Sequence, residues 1–169
     1  ISELHDPNGR YIAGSMGPTT KSLVLNDDIT FDEMKMSYQE QCEALVEAGV
    51  DYLLFETAMD TLNIKAAYCG ALDAFAVVGK NVPVAVSVTI EESGAMLAGQ
   101  GIEALYVSIE HMNPLYIGIN CATGLDKMRP HLEKLHAISR FPIAAVPNAG
   151  MPDENGQYPE TPQKYAEAM

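Results

Sequence analysis

Residues 115–124 have the sequence LYIGINCATG. Its first part has the length and composition of a buried β-strand, and it ends with Asn120 and Cys121 just before a turn of small residues. A buried cysteine is usually a compact apolar filler, whereas a cysteine displayed at the end of a strand can act as a nucleophile or a metal ligand. The rest of the chain has to decide between these two roles.

Four further apolar runs rich in Val, Ile and Leu resemble this strand. They do not alternate strictly between apolar and polar residues, which is typical of parallel strands buried on both faces. Apolar stripes at helical spacing lie between the runs, so strand and helix alternate along the chain. The runs are YIAGS from Tyr11, YLLFE from Tyr52, VPVAVSVTI from Val82 and FPIAAV from Phe141.

The four helical stripes have recognisable ends. The first follows a capping box formed by Thr30 and Glu33, and the second starts behind Asp60, the expected N-cap, and ends at Gly79. Pro130 is tolerable only in the first turn of the fourth helix. The stripes are Met34, Tyr38, Cys42, Leu45 and Val46; Leu62, Ala66, Cys69 and Ala76; Ile102, Leu105, Tyr106 and Ile109; and Met128, Leu132 and Leu135.

Length, composition and charge bound the class of protein. With 169 residues and 47% hydrophobic composition, the chain can bury one sizeable core. The net charge of −13 gives little attraction to nucleic acid or to an anionic membrane surface. No apolar run approaches the roughly 20 residues that cross a bilayer, and three scattered cysteines form no disulfide framework. We therefore predict a cytoplasmic protein with no nucleic-acid or membrane partner.

Polar and glycine-rich motifs follow the predicted strands: GSMGPTT, ETAMD, TIEESG, NCATG and PNAGMPDENG. Sites form at the carboxyl ends of strands both in open doubly wound sheets and in (β/α)8 barrels. Five successive polar loops favour the barrel, and we predict an α/β fold with about five consecutive parallel βα units. Because a complete barrel takes about 250 residues, we expect residues 1–169 to be a single truncated barrel domain that lacks three strands.

Three polar side chains at strand ends are candidates for binding. An unpaired Glu56 carboxylate would be costly behind an apolar strand, so it needs a donor or cation, which can be a structural partner or a substrate. Asn148 can form a turn or offer its amide to a ligand. Cys121 taken alone fits a structural thiol better than a ligand, and Cys42 and Cys69 fit core packing. No phosphate-loop spacing, catalytic triad or persuasive histidine base is present, so no catalytic side chain is assigned.

Longer segments resemble one family closely and in order over nearly the whole chain: the homocysteine-binding domain of cobalamin-dependent methionine synthase. The segments are AGSMGPT at 13–19, EAGVDYLLFETAMDTLNIKAA at 47–67, SVTIEESGAMLAGQ at 87–100, IGINCATG at 117–124 and PNAGMPDENGQYPETP at 147–162. The stretch KSLVLNDDITF is shorter than is usual in the family, and GAMLAGQG replaces a more polar run.

The resemblance implies a (β/α)8 barrel that binds homocysteine as a thiolate on zinc held by three cysteines. Cys121 matches the first of these; the other two form a Cys-Cys pair in a glycine-rich loop that this chain lacks. Glu56 would face the amino group of homocysteine, and Asn148 would lie near the metal and the polar end of the substrate. Asn120, next to Cys121, is placed with the substrate-binding residues. Methyl transfer from methylcobalamin would need the cobalamin-binding and methyltetrahydrofolate-binding modules of the full-length protein.

Two other functions stay open. A related enzyme would keep the fold, zinc and homocysteine but take the methyl group from betaine or S-methylmethionine. Alternatively, the chain is a non-catalytic α/β binding module whose cysteine is structural. An incomplete barrel also has two open sheet edges, which favour self-association.

Overall fold

A computed structural model of the protein describes residues 9–25, 28–150, 152–158 and 160–168. Strands and helices alternate over these residues, as the apolar patterns predict. The elements are β1 (Ala13–Met16), α1 (Phe31–Glu47), β2 (Tyr52–Ala58), α2 (Thr61–Val78), β3 (Val84–Val88), α3 (Ile102–Ile109) with a 3-10 turn (Glu110–Met112), β4 (Ile117–Gly124), α4 (Leu125–Ile138), β5 (Ile143–Asn148) and α5 (Pro162–Ala168).

The strands form one five-stranded sheet in the order β1-β2-β3-β4-β5, and every neighbouring pair is parallel. An open doubly wound sheet reverses its strand order at a switch point. The described strands show no reversal, since each pairs with its predecessor and successor in sequence. This order is the one found in an arc of a (β/α)8 barrel, and it confirms the predicted partial barrel.

Alternate residues of the strands face opposite sides of the sheet. On β2, Leu53 and Phe55 are 0% and 3% exposed and belong to the main apolar core. Tyr52, Leu54 and Glu56 point to the other face and are only half-buried. We call this second surface the concave face, because it corresponds to the interior of a barrel. The helix-covered face therefore supplies the packing, while the concave face is open to a ligand.

Local signals set several helix ends as predicted. Thr30 and Glu33 form the capping box of α1, with the Thr30 hydroxyl accepting from the Glu33 N–H at 3.3 Å. Asp60 is the N-cap of α2, and its carboxylate accepts from the Leu62 N–H at 2.8 Å. Gly79 closes α2 at a φ of 71°, a conformation that glycine adopts without steric cost.

Two details of the helices differ from the prediction. α4 begins at Leu125, so Pro130 is its sixth residue and lies beyond the first turn. At this position the proline destabilises α4, because it lacks the N–H of one helical hydrogen bond and its ring crowds the preceding turn. On α2, Ala66 of the predicted stripe is buried and Cys69 is half-buried, whereas Leu62 and Ala76 are exposed; the buried face also contains Ile64, Ala67, Gly70, Ala71, Ala74 and Phe75.

Apolar periodicity did not locate the α2 face because both α1 and the sheet pack against this helix, which widens its buried surface. None of the helices in the described part of the chain combines the length and hydrophobicity that a membrane span requires.

Candidate functional site

The carboxyl ends of the five strands meet at one edge of the sheet, because all neighbouring strands are parallel. This edge carries the polar motifs that the sequence placed after the strands. At or near it lie Gly14, Glu56, Thr89, Cys121 and Asn148. The structure thus brings the predicted site residues of β2, β4 and β5 to the same side of the fold.

Glu56 lies on the concave face near the end of β2. The donor that its partial burial requires is the Ser15 hydroxyl of β1, which donates a hydrogen bond to the Glu56 carboxylate. A carboxylate can accept about four hydrogen bonds, so this contact leaves acceptor capacity for a ligand. Below it on the same face, the rings of Tyr52 and Tyr116 pack edge to face at 6.1 Å. The pKa of Tyr116 is raised, mainly by burial and to a lesser extent by Tyr52 and the negative charge of Glu56. The Tyr116 phenol therefore stays neutral.

Asn120, in the middle of β4, is 5% exposed and joins β4 to β3 and β2. Its Oδ1 accepts from the Ser87 hydroxyl at 2.6 Å and from the Thr57 backbone N–H at 3.2 Å. Its Nδ2 donates to the Thr57 hydroxyl at 2.9 Å and to the Cys121 sulfur at 3.1 Å. Through these hydrogen bonds Asn120 links Thr57, which follows Glu56, to Cys121, the candidate metal ligand.

The three cysteines differ in their surroundings. Cys121 is exposed at the strand-end edge, whereas Cys42 is buried in the core and Cys69 is half-buried on α2. Burial raises the pKa of the Cys42 thiol to about 12, which disfavours the thiolate that binds metals. Cys121 is therefore the thiol best placed to contact a ligand at this edge of the sheet.

The described residues do not form a complete metal site. Within that part of the chain, no group of three or more His, Cys, Asp and Glu side chains is close enough together to hold an ion. A catalytic zinc ion takes three protein ligands plus an open position. Cys121 fits such a site as one soft ligand, and the remaining ligands would have to come from other residues.

Asn148 ends β5 and is exposed. It lines a depression of about 240 Å³ together with Ala122 and Thr123, which directly follow Cys121, and with Glu160. The ladder between β4 and β5 is irregular here, resuming at the pair Gly124 and Asn148. Asn148 thus lies beside the segment that follows the exposed thiol.

Sequence reasoning missed two members of this arrangement, Thr57 and Ser87. Ser87 is a polar residue within an otherwise apolar strand, and its two-residue spacing from Thr89 places both on the concave face. That spacing was a usable signal. Thr57 has a φ of 58°, which no sequence pattern marks for a β-branched residue.

Two comparisons with known proteins agree with the fold. The family model described as homocysteine S-methyltransferase matches residues 2–169. Two crystal structures of the homocysteine methyltransferase MmuM from Escherichia coli are similar to this chain. Its apo form is 22% identical with a TM-score of 0.66, covering 82% of this chain and 48% of that chain.

The metallated form of the same enzyme is 23% identical with a TM-score of 0.68, covering 83% of this chain and 49% of that chain. At these identities the likeness to MmuM shows the fold. This chain spans about half the length of the solved structures that it matches.

Proposed function

Since this chain belongs to the homocysteine S-methyltransferase family, we propose that it is part of an enzyme that methylates the sulfur of homocysteine to give methionine. We also propose that residues 1–169 are one truncated barrel domain within a longer protein. The coverage of about half of each MmuM structure supports this view.

The observation that carries the proposal is the pairing of a carboxylate and an exposed thiol at one edge of the sheet. Glu56 and Cys121 lie near the ends of β2 and β4, and Asn120 connects their neighbouring segments by hydrogen bonds. Homocysteine carries an ammonium group at one end and a thiol at the other. At this edge, the Glu56 carboxylate can bind the ammonium group, and the Cys121 sulfur can hold a metal ion beside the thiol.

In this proposal, Cys121 supplies one of three thiolate ligands to zinc, and a Cys-Cys pair outside this chain supplies the other two. Zinc bound there would deprotonate the homocysteine thiol, whose ordinary pKa near 8.5 leaves it mostly protonated at neutral pH. Glu56 accepts hydrogen bonds from the substrate ammonium, and the exposed Asn148 amide contacts its polar end. The residues of this chain therefore bind and orient homocysteine; the thiolate sulfur forms the new bond to the methyl carbon, and the donor leaves with the electron pair of the broken bond.

For the methyl donor we propose methylcobalamin, regenerated from methyltetrahydrofolate by other modules of the full-length protein. The segments DTLNIKAA and GQYPETP support the cobalamin type through their resemblance to methionine synthase. A betaine- or S-methylmethionine-dependent enzyme would use the same homocysteine site. The donor that sustains methionine formation by the full-length protein distinguishes these two types. The acidic composition and three free cysteines fit a cytoplasmic location.

The role of Glu56 can be tested by the change Glu56→Gln in the full-length protein. Glutamine can still accept the hydrogen bond from Ser15, but it cannot pair with an ammonium group as a charge. We expect the Kd for homocysteine, measured by calorimetry, to rise about ten- to a hundredfold, as for one lost charge-assisted hydrogen bond.

Glu47→Gln is a matched control, since Glu47 is exposed at the end of α1 and loses the same charge away from the site. Its homocysteine affinity should equal that of the wild type. A Glu56→Gln protein with unchanged affinity and lowered thermal stability would assign Glu56 to the fold instead.

A further inference from the structure

The Asn120 side chain uses its complete hydrogen-bonding capacity inside the protein. An asparagine amide has two N–H donors and two oxygen lone pairs. Its oxygen accepts from Ser87 and from the Thr57 N–H, and its nitrogen donates to the Thr57 hydroxyl and to the Cys121 sulfur. With four bonds made and 5% exposure, no donor or acceptor is left for a ligand.

The orientation of this amide follows from one of its partners. A backbone N–H can only donate, so the Asn120 oxygen must face the Thr57 nitrogen, 3.2 Å away. The NH₂ group then takes the other position of the amide, from which it donates to the Thr57 hydroxyl and to the Cys121 sulfur at 3.1 Å. Cys121 therefore accepts an N–H···S hydrogen bond that fixes its side chain.

The two segments that Asn120 joins have irregular backbones. Thr57 has a φ of 58°, and Cys121 and Ala122 each have a φ of 55°. The strand register shifts at both places, between Phe55 and Ala58 and between Asn120 and Gly124. Irregularities of this kind re-aim side chains at the ends of strands. Here they set the directions of Glu56 and Cys121, and Asn120 bridges them across β3.

Ser87 and Gly118 allow the Asn120 side chain to be held in place. Ser87 reaches its oxygen from β3, beside Gly118 on β4. A Cβ added at Gly118 would lie 2.7 Å from the Ser87 hydroxyl oxygen, closer than such contacts allow. The missing side chain at Gly118 thus makes room for the bond between Ser87 and Asn120.

We propose that Asn120 is a positioning residue that fixes the Cys121 sulfur relative to the Glu56 carboxylate. The inference rests on the proposed function, in which these two groups hold opposite ends of homocysteine. It assigns Asn120 to the support of the site, in place of the direct substrate contact predicted from its motif. Asn120 holds the Cys121 sulfur by one hydrogen bond, and it holds Thr57, the neighbour of Glu56, by two others.

The test compares Asn120→Ala with the wild type in the full-length protein, using cobalt(II) as a metal probe and homocysteine as substrate. Loss of a hydrogen-bond partner of a metal ligand typically lowers metal affinity about ten- to a hundredfold. We expect that loss, an altered thiolate-to-cobalt absorption band and a raised KM for homocysteine. A purely structural role would change none of these three readouts.

Asn63→Ala provides the matched control. Asn63 is 8% exposed, and its side chain also bonds to backbone, accepting from the Leu23 N–H and donating to the Lys21 carbonyl. Removing it should lower the melting temperature while cobalt affinity and the absorption band stay as in the wild type.

Ser87→Ala is a second variant that removes only one of the four bonds and keeps Asn120 in place. We expect a smaller effect in the same direction, so this variant decides the question if Asn120→Ala fails to fold. Wild-type cobalt affinity, absorption and KM in the folded variants would overturn the positioning role. A wild-type protein that binds neither cobalt nor homocysteine would instead overturn the proposed function itself.

Discussion

Thr57 shows how the site constrains a single residue. Its φ of 58° lies in the left-handed region, where a non-glycine residue costs about 1–3 kcal/mol. Hydrogen bonds from its N–H to Asn120 and from Asn120 to its hydroxyl hold it there. Each such bond contributes about 1 kcal/mol. The hydrogen bonds with Asn120 therefore offset the conformational strain of the positive φ at Thr57.

The strain predicts an unusual order of stability for two variants of Thr57. Thr57→Ala loses the hydroxyl and keeps the strain, whereas Thr57→Gly loses the hydroxyl and relieves the strain. Glycine gives up about 0.5–1 kcal/mol in unfolded-chain entropy, which is less than the strain it removes. We expect urea denaturation to find the glycine variant more stable by about 1 kcal/mol. An alanine variant more stable than the glycine variant would show that Thr57 is not strained.

The sequence singles out Glu56 and Cys121 as candidate residues, but it does not show that Asn120 links their segments by hydrogen bonds. Glu56 and Cys121 stand out as polar residues behind apolar strands. Their link through Asn120 depends on strand register and on positive φ values at Thr57 and Cys121. These are set by pairing across β3, and a single strand's sequence does not encode them.

Helices α1 and α2 approach each other closely at Gly70. A Cβ on Gly70 of α2 would lie 2.6 Å from the Lys35 carbonyl oxygen and 2.9 Å from the Gln39 nitrogen on α1. The obstacles are backbone atoms, which cannot turn away as side chains do. The two helices therefore approach this closely only because residue 70 has no side chain.

Gly70→Ala should destabilise the protein even though alanine favours helices by about 1 kcal/mol over glycine. Separating the two helices costs about 1–3 kcal/mol or more in lost packing, so we expect a lower free energy of unfolding in denaturant titration. Gly17→Ala is the control, since a Cβ there meets nothing within 4 Å. If Gly70→Ala matched or exceeded the wild type in stability, this packing account would be wrong.

The same contact explains which element-level predictions succeeded. Strands and caps follow local rules, so Thr30, Asp60 and Gly79 mark helix ends as predicted. The buried side of α2 follows tertiary packing, because Gly70 and the alanines that surround it are small enough to admit α1. Alanines lie on both the buried and the exposed sides of α2, so the apolar pattern of the sequence did not show which side is buried.

The whole molecule is an arc of parallel strands with a helix-covered side and a concave side. Polar motifs repeated after each strand made this arrangement predictable, since parallel strands collect such motifs at one edge. Among the described strands, β1 and β5 form the two open ends of the sheet, each paired with one neighbour. On β5, Val146 is 60% exposed on the concave side. Self-association of the isolated chain through these edges stays a prediction.

We propose that Cys121 is a zinc ligand of a homocysteine methyltransferase site completed by other parts of the full-length protein. Metal analysis of that protein tests it most directly. We expect about one zinc ion per wild-type chain, as for a three-ligand catalytic site.

Cys121→Ser removes a soft ligand and should abolish zinc retention after dialysis together with methionine formation. Cys69→Ser, at the half-buried thiol of α2, is the matched control and should keep the full zinc content. A Cys121→Ser protein that still holds one zinc ion and forms methionine at the wild-type rate would show that Cys121 is not a zinc ligand.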